Sequence, residues 1–141
     1  MKTKILLTIL CSMLWVGSTK AQLKVGDAHL DGVVAVLNSD GKTGLIMQKS
    51  NISKALNHKD AKTATTNLGN GWRLPTVQEC IAMYKINSVL KIPATAYWTG
   101  SPYGTQGYVL TFSFQSGTSS PNNTISLRGD NTQSVRPVKS F

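Results

Sequence analysis

The sequence predicts a single α+β domain, with helices in its first half and a run of short antiparallel strands in its second. Three features carry that expectation. Two apolar runs flank an Asp40-Gly41 turn, as the arms of a β-hairpin do. The stretch Gly71-Trp72-Arg73-Leu74-Pro75-Thr76-Val77-Gln78-Glu79 joins a rigid bend to a helix start. From Tyr97 to Ser134, half of the residues are Ser, Thr, Asn or Gln, broken by glycines and prolines at turn-like intervals.

The first 21 residues read as an export signal rather than as part of the fold. Lys2 and Lys4 form a positive start, Ile5 to Val16 is an apolar core, and Thr19-Lys20-Ala21 offers small residues at a cleavage site. A lipoprotein signal acylated at Cys11 fits less well, because Leu10 stands where such signals carry a small residue. Loss of Lys2, Lys4 and Lys20 takes the formal charge from +9 to +6. The remaining residues, 22–141, suit one domain with one modest core. No other apolar run is long enough to cross a membrane, so no membrane insertion is expected.

Val33 to Leu37 and Gly44 to Met47 are the expected hairpin strands, and their continuous apolar character predicts burial on both faces. Residues 53–67 follow a weak helical stripe of Ala55, Leu56, Ala61, Ala64 and Leu68, with Gly69 as the C-terminal cap. The second helix begins after Pro75. Thr76 and Glu79 have capping-box spacing, and Val77, Cys80, Ile81 and Tyr84 recur at helical intervals. Asn87-Ser88 or Pro93 marks its end. Strands are then expected at Tyr97–Thr99, Tyr108–Phe114, Thr124–Leu127 and Ser134–Val138.

Cysteine usage excludes much chemistry. With Cys11 in the signal, Cys80 stands alone and no internal disulfide can form. Its place on the second helix makes it a small core residue. A catalytic thiol would need a basic partner and some exposure. His29 and His58 lie in no catalytic motif, and two separated histidines with one cysteine make no zinc signature. No cofactor is expected.

Several motifs, taken in order, resemble a known family. Gly32-Val33-Val34-Ala35-Val36-Leu37, Asp40-Gly41-Lys42 and Gly44-Leu45-Ile46 look like its opening hairpin. Leu68-Gly69-Asn70-Gly71 and Trp72-Arg73-Leu74-Pro75-Thr76 follow, then Tyr97-Trp98-Thr99-Gly100 and Val135-Arg136-Pro137-Val138. The chain resembles the bacterial C-type-lectin-like domain found at the C-terminus of a collagen-like adhesin, which is related to the sulfatase-modifying, formylglycine-generating enzymes. The likeness spans nearly all of 32–141. It implies a twisted antiparallel sheet with two helices and a long irregular polar loop region. It implies no single activity, since related folds bind sugars, proteins and ice. The enzymes of this kinship use a cysteine pair, whereas only Cys80 is present here, where the family usually has leucine. Calcium-dependent lectins carry a Glu-Pro-Asn loop and a following Asn-Asp pair. This chain has Ser120-Pro121-Asn122-Asn123 and then Gly129-Asp130-Asn131, a thin carboxylate supply for calcium and plausible as plain turns. Arg128-Gly129-Asp130 likewise reads as a turn.

The leading expectation is therefore a secreted, non-catalytic binding module. Tyr103 and Tyr108 would stack on a sugar ring or anchor a protein, and Asn122, Asn123, Asp130 and Asn131 would hydrogen-bond the ligand. Trp98 fits the core better than the surface. Lys42, Lys49, Lys54, Lys59 and Lys62 add the possibility of an acidic polysaccharide, although a solvated face is the plainer role for such lysines. The expected partner is a glycan or a cell-surface protein. Export and the lack of a nucleic-acid module argue against nucleic acid. The alternative is a structural or accessory subunit of a surface assembly, and a thiol enzyme using Cys80 comes last.

Overall fold

The computed structural model describes residues 21–52, 54–117 and 123–141. The segment predicted as an export signal, apart from its last residue, and Ser120, Pro121 and Asn122 lie outside the described residues. The fold is α+β, with two antiparallel sheets and three helices among the described residues. The first sheet has the order β1-β2-β3-β7, formed by Ala28–His29, Gly32–Leu37, Gly44–Met47 and Val138–Ser140. The second has the order β4-β5-β6, formed by Ala96–Pro102, Tyr108–Ser113 and Thr124–Arg128. The helices are α1 (His58–Asn67), α2 (Val77–Lys85) and the short α3 (Asn87–Leu90).

The predicted hairpin forms, with one irregularity. Val34 pairs with Ile46 and Val36 with Leu45, so Ala35 is an extra residue in β2. At Gly44, opposite this bulge, a Cβ would run into the Val36 carbonyl, which explains the glycine. The turn is held by Asp40, whose carboxylate accepts from the Thr43 hydroxyl and from the Lys42 and Thr43 amides. Those bonds, led by Thr43, hold its pKa down to about 2.

Both faces of β3 are buried, as its unbroken apolar run requires. Leu45 and Met47 point into the main core beside Cys80 and Met83 of α2, while Ile46 points the other way, to Val34 and Trp72. The second sheet repeats the arrangement. Tyr97, Phe112 and Phe114 join the main core, whereas Trp98 packs on Ala61 of α1 with Leu74 and Val135. Helix α2 therefore packs into the core shared by both sheets, and α1 covers the opposite face of the second sheet.

The capping box is present as predicted. The Thr76 hydroxyl accepts from the Glu79 amide, and the Glu79 carboxylate accepts from the Thr76 amide at 2.8 Å. Gly69 adopts φ +67° just past α1, the left-handed conformation that suits glycine after a helix. Cys80 is fully buried, as expected of a core residue.

Four expectations need correction. Helix α1 starts at His58 rather than near residue 53, because Leu56 exchanges backbone hydrogen bonds with Gln133 and Asn57 caps the helix through the Asp60 amide. A third helix follows α2, where Asn87 fastens its turn by bonding both the amide and the carbonyl of Ile92. Two sheets stand where one was expected, because β4, β5 and β6 pair among themselves within the polar half of the chain. The last strand is Val138–Ser140, not Ser134–Val138. Pro137 has no N–H to give a ladder, and Ser134 makes only an isolated parallel bridge to Tyr97.

Candidate functional site

The polar half of the chain exposes one face at the end of the β5–β6 hairpin. Tyr108 opens β5 and stands directly opposite Arg128, which closes β6. The phenol is 38% exposed, and Tyr103, in the preceding turn, is 46% exposed. A cavity of about 340 Å³ opens here, lined by Gln106, Gly107, Tyr108, Arg128, Gly129 and Asp130. Gly129 and Gly107 are joined by a backbone bond of 2.9 Å, which ties the two turns that form its walls.

Arg128 and Asp130 form an exposed ion pair at 3.1 Å. Hydrogen bonds from Arg128 hold the Asp130 carboxyl below its ordinary range, so it is charged at neutral pH. The Asn131 side chain donates to the Arg128 carbonyl and closes the turn. The pair fixes the guanidinium at the strand position opposite Tyr108, with its Nε and Nη2 edge turned to Asp130.

Of the six predicted ligand residues, the fold brings Tyr108 and Asp130 together at this cavity, with Asn131 in its turn and Tyr103 in the loop before β5. Asn123 is elsewhere. It precedes β6 while Asp130 follows it, and the intervening five-residue strand separates them by roughly 17 Å. Asn123 instead lines a small cavity with Ile81, Tyr84, Lys85 and Phe112. Asn122 lies outside the described residues. Among the described residues Asn123 therefore does not meet Asp130, and both Asp130 oxygens already accept from Arg128.

The cavity also takes in Gln106, Arg128 and Gly129, which lie outside the ligand set that the sequence predicts. Their place depends on the β5–β6 register, for which the separated turns carry no local signal. His58 is a further unexpected participant. Its backbone amide donates to the Gly129 carbonyl at 2.9 Å, and its Nε2–H donates to the Thr99 carbonyl at 3.1 Å. Its ring meets Trp98 edge-on, with centroids 5.3 Å apart. Partial burial pushes its pKa down, with Lys62 adding to the effect against the bond to Thr99.

Trp98 is fully buried, and its indole N–H donates to the Leu56 carbonyl at 2.7 Å. It is a core residue that pins the segment before α1. Of the lysines, Lys59 and Lys62 share α1, Lys42 sits in the β2–β3 turn, and Lys49 and Lys54 lie between β3 and α1. Among the described residues, no group of three or more His, Cys, Asp or Glu is placed to hold a metal, and no helix is long and apolar enough to cross a membrane. No protein-family model matches the chain, and no curated protein matches it in sequence.

Proposed function

We propose that this chain is an exported, non-catalytic binding module of the C-type-lectin-like kind, and that its ligand is a glycan. The observation that carries this reading is Tyr108, an exposed ring set opposite Arg128 over a cavity walled by Gln106 and Asp130. A sugar ring has an apolar C–H face and a hydroxyl-bearing edge. An exposed aromatic ring takes the first, and amide, guanidinium and carboxylate groups take the second. The predicted export signal and the order of the motifs support this compartment and this kinship. The return of the last strand to β3, beside the opening hairpin, agrees with that kinship. The full burial of Cys80, with its thiol pKa pushed up by desolvation, favours a module without thiol chemistry.

A glycan array probed with the purified protein, in calcium and in chelator, tests this reading. Specific glycan signals that weaken strongly in Tyr108→Ala are the expected result. A blank array would overturn it.

The outer edge of β6 favours a second reading, that of an assembly subunit. Among the described residues no strand pairs with that edge, and Ile125 is half-exposed on it. Light scattering across a concentration series checks this: a mass that rises with concentration, and stays monomeric in Ile125→Lys, would favour the subunit.

A further inference from the structure

A second cavity, of about 260 Å³, lies between α1, the bend before α2 and β4. Its walls include Lys62, Thr65, Thr66, Arg73, Thr76 and Gly100. His58 joins it to the first. The His58 amide bonds Gly129, a wall of the first cavity, and its ring bonds Thr99, the neighbour of Gly100. Lys62 and Thr66 follow His58 at four-residue intervals on one flank of α1, so this row covers about 12 Å.

The charges along this row are unequal. Arg73 is held bidentately by Glu79 at 2.7 and 2.8 Å, and Arg128 is held by Asp130. Among the described residues, Lys62 and its neighbour Lys59 make no ion pair. The surplus positive charge therefore comes from these two lysines. The hydroxyls beside Lys62 have a defined polarity as well. Exposed Thr66 donates to the Lys62 carbonyl at 3.0 Å, which leaves its oxygen able to accept from a ligand, while Thr65 makes the same bond at 2.9 Å from a buried position. The cleft sets an ammonium next to a hydrogen-bond acceptor. A ligand carrying an anionic group and hydroxyl donors on neighbouring atoms satisfies both. An acidic peptide or inorganic phosphate satisfies chiefly the first.

We infer that the second cavity is the acid-group subsite of one extended glycan, a sulfated or uronic-acid chain that lies along α1 with another of its rings on Tyr108. This deepens the glycan reading and rests on it. The α1 flank with Lys59 and Lys62 gives the ligand its charge preference, and the Tyr108 cavity gives it ring recognition.

Titration calorimetry on the purified protein tests it with four probes: a sulfated glycosaminoglycan oligosaccharide, a polygalacturonate oligosaccharide, neutral dextran and polyglutamate. One or both acidic glycans should bind more tightly than dextran and polyglutamate, and which of the two does so identifies the anion. Lys62→Gln should weaken acidic-glycan binding roughly five- to tenfold and reduce its salt dependence. Tyr108→Ala should weaken binding of every glycan. Circular dichroism checks that both variants are folded. An unchanged acidic-glycan affinity in folded Lys62→Gln, or polyglutamate binding as tight as the acidic glycans, would overturn the subsite. Failure of every glycan to bind the wild-type protein would instead remove the glycan reading beneath it.

Discussion

Lys139 carries its ammonium 4.8 Å over the centre of the Trp72 ring. The same nitrogen pairs with the Asp31 carboxylate at 2.6 Å, and the Trp72 indole N–H donates to the other Asp31 oxygen at 3.0 Å. Three residues far apart in sequence thus meet on one face of the first sheet, where the last strand joins the hairpin. Lys139 is nearly buried, and the tryptophan face takes the place of much of its hydration.

Replacing either member should loosen the closure of β7 on β3. Lys139→Met keeps most of the stem and removes the charge, and Trp72→Phe keeps a ring and removes the donor. Each should cost about 1 kcal/mol. The double variant should cost less than the two together, since both changes remove a donor from the same Asp31 carboxylate. Urea unfolding of the four proteins measures this. Strict additivity would mean that Lys139 and the Trp72 N–H are not coupled through Asp31.

The helix start at Thr76 can be dissected in the same way. Thr76→Ala removes the hydroxyl that accepts from the Glu79 amide and should cost about 1 kcal/mol. Glu79→Gln retains a side chain able to close the box on the Thr76 amide but gives up the charged grip on Arg73. Glu79→Ala loses both. Burial alone would raise the Glu79 pKa, but bonds from Arg73 and Thr76 outweigh it and hold the group charged. Chemical denaturation should rank wild type, Glu79→Gln and Glu79→Ala in falling order. Equal stability of the two Glu79 variants would show that the side-chain bond to the Thr76 amide contributes nothing.

What the sequence made legible was local. The Asp-Gly hairpin, the Thr76–Glu79 box, Gly69 after α1 and the inward-facing Cys80 each depend on neighbours within a few residues. What it hid depended on distant pairing. Leu56 fits the stripe of a helix, yet Gln133, far along the chain, draws it into a bridge. Asn123 and Asp130 look like parts of one loop site until the length of β6 separates them. The cleft of Lys62 and Arg73 is not legible in sequence because it forms only when Ala61 of α1 and Leu74 of the bend pack with Trp98 of β4 in the core. Tyr108 was legible as an exposed aromatic, but its partner Arg128 required the register.

Cys80 separates a core thiol from a reactive one. Its sulfur has no exposed surface, and burial, with the nearby Glu79 charge, drives its pKa up. The folded protein should therefore resist a thiol-labelling reagent that reacts readily once denaturant is added. Cys80→Ala should leave ligand binding intact, and Cys80→Ser should be less stable, by about 1–2 kcal/mol, because it buries a hydroxyl among apolar groups. Rapid labelling under native conditions, or loss of function in a folded Cys80→Ser protein, would reinstate a chemical role.

His58 links the two cavities and should also impose a pH dependence on the fold. Its folded pKa lies below the ordinary 6.5, first because burial disfavours the cation and then because Lys62 is near. The unfolded chain therefore takes up a proton more readily than the folded one. The stability from this site is complete above pH 6.5 and declines as pH falls below it toward the folded value. Carboxylates titrate mostly at lower pH, which leaves a window between about pH 5 and 7 for the imidazole. His58→Phe retains an edge for Trp98 and removes the titration, at the cost of the bond to Thr99. Its melting temperature should be lower than that of the wild type at pH 7.5. The gap should narrow as pH is lowered to 5, because only the wild type pays for protonating a half-buried ring. A gap that stays constant over this range would mean that His58 titrates alike in the folded and unfolded chains.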